Sequence, residues 1–205
     1  MNTRRIVAVS AGLGKPSSTR MLADRLSQAT TDALAARDLT AEVRTVELRE
    51  VAHDVVDTML TGFPAGRMGE VLDEVTGADG LIAVTPLFTT TYSGLFKSFV
   101  DVLGDESLTD VPVLLGATGG TPRHSLALEY SLRPLFTYLH ADVVTTSVFA
   151  ATDDWAGEGD RVNPLPRRIE RAGRELAELV ADRRDTGRPD PYESAPSFEQ
   201  LLREV

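Results

Sequence analysis

Short runs of apolar, largely β-branched residues alternate along this chain with longer segments whose apolar positions recur every three or four residues. Residues 5–10 (RIVAVS) read as a first strand, bounded by the glycines that follow. From residue 18 to about 36, Met21, Leu22, Leu26, Ala29 and Leu34 recur at helical spacing. Residues 40–48 (TAEVRTVEL) alternate as a half-exposed strand does, and Met68, Leu72 and Val75 give a short helix over 69–76 its apolar side. Residues 81–85 (LIAVT) are apolar without alternation, the pattern of a central parallel strand covered on both faces. Then come a helix over 93–103, a strand over 111–117 (VPVLLGA), a helix over 124–139 and a strand over 142–150 (DVVTTSVFA). A long charged helix over 163–184 carries Ile169, Ala172, Leu176, Leu179 and Val180 on one side.

Five strands alternating with helices predict a parallel sheet with helices on both faces. Right-handed crossovers leave few topologies, and five strands suit the order 2-1-3-4-5. The expected class is therefore α/β, a flavodoxin-like three-layer sandwich. Two segments depart from the alternation. Residues 49–67 (with VAHDVVDTML) predict an additional helix and loop. Residues 1–184 form the expected domain, and residues 185–205 a Pro-rich linker ending in a short helix with Phe198, Leu201 and Leu202. That tail is either frayed or a strap docked on this or a neighbouring subunit.

Composition narrows the chemistry. With 205 residues there is ample length for one domain with a sizeable core. The chain has no cysteine, which excludes disulfides, iron–sulfur clusters, thiolate zinc sites and thiol catalysis. Its three histidines (His53, His124, His140) are too widely spaced for a helical metal site. A net charge of −10 repels phosphate backbones and argues against nucleic-acid or anionic-membrane partners. No run approaches the roughly 20 apolar residues of a membrane span. Arg4 and Arg5 precede an apolar stretch too short for a signal peptide, and no A-x-A-like cleavage site follows. The expected compartment is the cytoplasm.

Ligands of open α/β sheets sit beyond the carboxyl ends of the strands, near the switch in strand order. Three loops fall there. The first, residues 10–19 (SAGLGKPSST), combines glycines, hydroxyls and the start of a helix, a set suited to an anion. It is not a Walker A loop, because Pro16 follows Lys15, and it lacks the third glycine of a dinucleotide fingerprint. Ser17 or Ser18 would serve equally as an ordinary helix cap. The second loop, residues 85–94 (TPLFTTTYSG), mixes apolar, aromatic and hydroxyl groups as a flat heteroaromatic ring requires, and Ser93 is also a helix-cap candidate. Lys97 and Asp101 beyond it are spaced for a salt bridge that could also steady the loop. The third, residues 116–121 (GATGGT), exposes backbone amides at a glycine pair able to take positive φ. Arg123 and His124 just after it are either plain surface charge or contacts for a nucleotide phosphate.

The stretches TPLFTTTYSGLFKSFVD and PVLLGATGGTPRHSLALEYSLRPLF resemble the NAD(P)H-dependent FMN reductases, particularly the sulfonate-utilisation branch. The resemblance covers residues 6–149. It implies that Ser10, Ser17, Ser18 and Thr19 hold the FMN phosphate. Pro86, Leu87, Phe88, Thr89, Tyr92 and Ser93 would line the ring and ribityl groups, and Thr118, Gly119, Gly120 and Thr121 would close the ring's far edge. Many relatives carry an arginine in the first loop; here Lys15 is the candidate replacement, and Phe88 stands where relatives often have tyrosine. The implied activity is hydride transfer from NADPH or NADH to FMN, with reduced flavin passed to a flavin-dependent monooxygenase. A homodimer or homotetramer is implied too, and Tyr130 falls where that branch links a tyrosine to a helix distortion near the flavin site. An electron carrier of flavodoxin type, or a quinone, azo or metal-ion reductase, would use the same scaffold.

Overall fold

The computed structural model describes residues 3–183. Its strands are β1 (Thr3–Ser10), β2 (Thr40–Glu47), β3 (Gly80–Phe88), β4 (Thr91–Tyr92), β5 (Pro112–Gly119), β6 (Asp142–Val143) and β7 (Val148–Ala151). The helices are α1 (Ser18–Ala35), α2 (Ala52–Thr61), α3 (Met68–Thr76), α4 (Gly94–Asp101), α5 (Arg133–Tyr138), α6 (Thr152–Ala156) and α7 (Leu165–Asp182). The strands lie in the order β2-β1-β3-β5-β6, with β7 continuing alongside β5 and β4 folded back on β3. Every pairing is parallel except that of β3 with β4. With the hairpin set aside and β6 and β7 read as two halves of one strand, this is the expected flavodoxin-like order 2-1-3-4-5.

Strand periodicity distributes the core between two faces. Ile6, Ala8, Ile82, Val84, Leu114 and Val148 pack against α1 and α7. Their neighbours Val7, Val9, Leu81, Ala83, Val113 and Leu115 pack against α2 to α5 on the other side. Helices α1 and α7 meet at Gly173, where an added Cβ would lie 2.7 Å from the Cβ of Ala29 and 2.8 Å from the Thr30 nitrogen. Only a glycine lets the two backbones come this close.

Three details differ from the periodicity. In α1, Met21 is exposed, and the buried stripe is completed instead by Thr19, Ala23, Ser27 and Thr30. The Ser27 and Thr30 hydroxyls donate to the carbonyls of Ala23 and Leu26, so their burial leaves no unmet polar group. The helix expected over 124–139 is divided into a 3-10 turn (Pro122–His124), a π turn (Leu128–Leu132) and α5. Pro134 has no N–H to offer the carbonyl of Tyr130, so the chain widens ahead of it and restarts with the proline in the first turn of α5.

The fifth strand is interrupted over 144–147. Arg133 donates there to the carbonyls of Val144 (3.1 Å) and Thr145 (3.2 Å). Glu175 accepts from the amide and the hydroxyl of Thr146, both at 2.7 Å. Side chains thus satisfy backbone groups that have left the ladder. The additional segment after β2 is a 3-10 turn (Leu48–Glu50) and α2, which ends at Gly62 with φ +75°. The expected linker and terminal helix over 185–205 lie outside the described residues.

Candidate functional site

The parallel register brings the three loops to one edge. Ser10 at the end of β1 pairs with Val84 of β3 and Glu47 of β2; Pro86 pairs with Thr118 of β5, and Thr118 with Ala150 of β7. The first loop is tied to β3 by the Ala11 amide, which donates to the Val84 carbonyl at 2.9 Å. Ser17 caps α1, its hydroxyl accepting from the Arg20 amide at 3.1 Å. Gly12 sits against that cap, where a Cβ would fall 2.1 Å from the Ser17 Oγ. Ser18 is exposed in the first turn, and Thr19 is buried with its hydroxyl 2.9 Å from that of Thr118. This buried bond joins the first loop to the third.

Ser10 is 1% exposed, and its hydroxyl has no hydrogen-bond partner among the described residues. A buried hydroxyl left alone costs about 1–3 kcal/mol, which a ligand oxygen or nitrogen offsets. Around it the cations are mostly engaged. Arg20 pairs with Asp24 (2.7 Å) and Glu47 (2.8 Å), and the Asp24 hydrogen bond raises its pKa further. Arg49 pairs with Glu47 and donates to the Gly14 carbonyl, each at 2.5 Å. Lys15 is exposed and has no ion pair among the described residues. Arg49 and Glu47 escaped the sequence reading although they brace the loop. Their only local signal is position, at and just past the carboxyl end of the neighbouring strand.

The second loop is a hairpin. Leu87 faces Tyr92 and Phe88 faces Thr91, while Thr89 (φ +50°) and Thr90 (φ +77°) make the two-residue turn. Positive φ at two β-branched residues is strained, and a turn of this hand requires it at both. Thr85 is buried and accepts from the Ser93 amide at 3.1 Å, and Ser93 caps α4 by accepting from the Phe96 amide at 3.2 Å. Tyr92 leans on Phe96, their ring centroids 6.3 Å apart. Pro86 and Ser93 are therefore buried in the base of the hairpin, Leu87 and Tyr92 are partly covered, and Phe88 and Thr89 stand exposed at its end. Lys97 and Asp101 form the expected ion pair on α4.

In the third loop, Thr118 and Gly119 still belong to β5, and Gly120 opens the turn that Thr121 caps through the Arg123 amide (3.1 Å). Neither glycine takes positive φ. Gly119 is needed for another reason: a Cβ there would sit 3.0 Å from the Phe149 ring. At Gly120 nothing lies within 4 Å, which leaves its backbone approachable.

Residues 4–156 match the NADPH-dependent FMN reductase family. The chain belongs to that family. It is 35% identical over 179 residues to the FMN reductase (NADPH) of Pseudomonas aeruginosa, covering 87% of this chain and 94% of that one. It is 34% identical over 151 residues to the NADH-dependent FMN reductase SfnE of Pseudomonas putida, covering 74% and 78%. The crystal structure of an oxidoreductase from Corynebacterium diphtheriae superimposes with a TM-score of 0.85 at 42% identity, covering 90% of this chain and all of that one. This FMN reductase is thus an oxidoreductase that uses FMN, with NADPH or NADH as hydride donor. No described helix is long and apolar enough to cross a membrane.

Beyond the third loop of the reductase, Tyr130 lies inside the π turn and is 78% exposed. Its neighbour Glu129 pairs with Arg133 at 2.6 Å, a hydrogen bond that holds the Glu129 carboxyl below the ordinary range.

Proposed function

We propose that the three loops together form the FMN site of this reductase. In this reading Ser10, Ser17, Ser18 and Thr19 hold the phosphate end, with Lys15, which has no ion pair among the described residues, as the cation of the first loop. Pro86, Leu87, Phe88, Thr89, Tyr92 and Ser93 frame the ring, and Thr118, Gly119, Gly120 and Thr121 take its far edge. The observation that carries the reading is the unpartnered Ser10 hydroxyl, buried beside a first loop already pinned to the third. The residues fit the group: hydroxyls and helix amides for a phosphate, an exposed Phe88 for a flat ring, and open backbone at Gly120 for a polar edge.

A bound flavin would supply the hydride acceptance and electron transfer of the reaction. The protein's task is positioning. The Ser17 cap and the Gly12 contact fix the first loop, and the buried Thr19–Thr118 bond ties it to the third. The strained hairpin holds Phe88 outward, and the amides past Gly119 offer hydrogen bonds to developing negative charge. No side chain has to act as a nucleophile.

Exposure of Phe88 and Gly120 supports a site from which reduced flavin can leave for a flavin-dependent monooxygenase. Assembly as a homodimer or homotetramer is supported by the exposed apolar residues of α2 and of the π turn. The net charge and the absence of cysteine fit a cytoplasmic protein.

The test is direct. Purified full-length protein is examined by absorbance, and NAD(P)H consumption is followed with and without added FMN, with quinones as rival acceptors. Colourless protein that depends on added FMN identifies flavin as a substrate, and yellow protein identifies a prosthetic group. Ser10→Ala should weaken FMN binding about tenfold, the loss of one hydrogen bond to a charged group. Unchanged FMN affinity in that variant would remove Ser10 from the site.

A further inference from the structure

Two anions come to this edge in the reaction, the flavin phosphate and the pyridine nucleotide, and the three loops carry few cations free to meet them. Arg20 and Arg49 are neutralised by Asp24 and Glu47. Lys15 and Arg123 are exposed, and neither side chain has an ion pair or hydrogen bond among the described residues. They sit on opposite flanks of the hairpin, Lys15 after β1 and Arg123 after β5, with β3 between. Strands two apart are separated by about 10 Å, too far for one anion to engage both loops closely. The Lys15 side belongs to the phosphate end of the flavin in the reading above, on which this inference rests. Arg123 is left for the second anion.

The surroundings of Arg123 make its charge matter. The strand beside the third loop is β7, in register through Gly119 and Ala151, and the turn bearing Arg123 packs against it. From β7 the chain enters an acidic segment, residues 152–163, with four carboxylates against the single cation Arg161. Asp154 there is paired with Arg168 at 2.5 Å, and the Asp160 carboxylate is taken by the amides of Val162 (2.9 Å) and Asn163 (3.1 Å). Asp153 and Glu158 are exposed. Added to a net charge of −10, this segment disfavours any dianion that lacks its own counter-charge. A guanidinium meets a phosphate through two parallel hydrogen bonds, and His124 next to it adds a further donor.

We infer that Arg123, assisted by His124, binds the 2′-phosphate of NADPH and sets this reductase's preference for NADPH over NADH. The nucleotides differ only in that group, so a residue that contacts it changes their ratio, whereas a residue that contacts the shared pyrophosphate changes both equally.

The experiment measures kcat/KM for NADPH and for NADH at fixed FMN in the wild type, Arg123→Ala and Arg123→Lys. Binding of adenosine 2′,5′-bisphosphate is measured alongside by calorimetry, without turnover. The wild type should prefer NADPH, and Arg123→Ala should lower the NADPH-to-NADH ratio about tenfold, the scale of one charged hydrogen-bond pair at a wet surface. Adenosine 2′,5′-bisphosphate should bind the wild type and lose affinity to a similar extent in Arg123→Ala. Arg123→Lys should retain part of both effects, and added NaCl should raise the KM for NADPH more steeply than that for NADH. A wild type that prefers NADH, a ratio unmoved by Arg123→Ala, or an equal fall for both nucleotides overturns the assignment. Failure of the flavin-site reading itself looks different: Ser10→Ala leaves FMN affinity unchanged whatever Arg123 does.

Discussion

The two helical layers on this sheet follow different rules. On one side α1 and α7 are unbroken helices of 18 residues each, packed backbone to backbone at Gly173. On the other, α2 to α5 are short, with a 3-10 turn and a π turn among them. The first layer buries nearly all its large apolar side chains. The second leaves Val56, Met59, Leu60 and Phe63 exposed around α2, and Leu126, Tyr130 and Tyr138 exposed around α5. The three loops at the carboxyl edge divide the same way. The first loop feeds the closed layer through the capped start of α1, while the hairpin and the Gly119–Gly120 loop feed the open one.

The largest effect should come from forcing the closed layer apart. Gly173→Ala places a methyl against Ala29 and the Thr30 amide, and the expected cost is about 1–3 kcal/mol despite alanine's better helix propensity. Urea unfolding followed by circular dichroism measures it. A stabilising Gly173→Ala would mean that the α1–α7 contact is loose, and the contrast between the layers would lose its basis.

Next in size is the acid response of the fifth-strand break, where the layers are linked. Glu175 of α7 holds Thr146, and Glu129 of the π turn holds Arg133, which in turn holds the carbonyls of Val144 and Thr145. Burial acts to raise the Glu175 pKa, but its hydrogen bonds from Thr146 and Arg171 outweigh that and leave it lowered. The Glu129 carboxyl is lowered chiefly by its bond from Arg133. A carboxyl with a depressed folded-state pKa contributes stability that is full above its unfolded value and is lost as pH falls through the folded one. The deficit of Glu175→Gln at neutral pH should therefore be about 1 kcal/mol and should shrink on acidification. That of Glu129→Gln should be smaller, because its side chain is 45% exposed and well solvated. Parallel stability–pH curves for wild type and variants would remove both carboxylates from this role.

What was legible in the sequence follows from the range of each interaction. The strands are legible because alternation or a short apolar run is written locally, and so are the caps at Ser17 and Ser93, each a hydroxyl just before a helical segment; the cap at Thr121 comes from the structure alone. All three loops were placed because strand ends fix them. The Thr19–Thr118 bond was not readable, since its partners stand 99 residues apart and nothing in either neighbourhood names the other. Arg49 was missed for the same reason: it reaches Gly14 across 35 positions. The π turn has a local sign in Pro134, but the apolar spacing over 124–139 reads as one continuous helix; only the resemblance at Tyr130 implies a distorted one. At the glycine pair the residue type is legible in the sequence and its cause is not, because the crowding at Gly119 is supplied by Phe149 on a later strand.

The smallest effect on the folded chain, and the sharpest test of the contrast, lies at the open layer. Leu60 and Phe63 are 76% and 74% exposed. Replacing both with serine should change the unfolding free energy of the dilute, monomeric chain by less than about 0.5 kcal/mol, because neither side chain is packed in the core. If this face is where copies meet, the same substitutions should lower the molar mass seen by sedimentation at higher concentration. They should also abolish any rise of Tm with protein concentration. A double variant that loses 2 kcal/mol or more in the monomer would show these residues packed in solution, and the second layer would then be as closed as the first. An unchanged molar mass with unchanged stability would leave α2 open but move the contact between copies to the Leu126, Tyr130 and Tyr138 side.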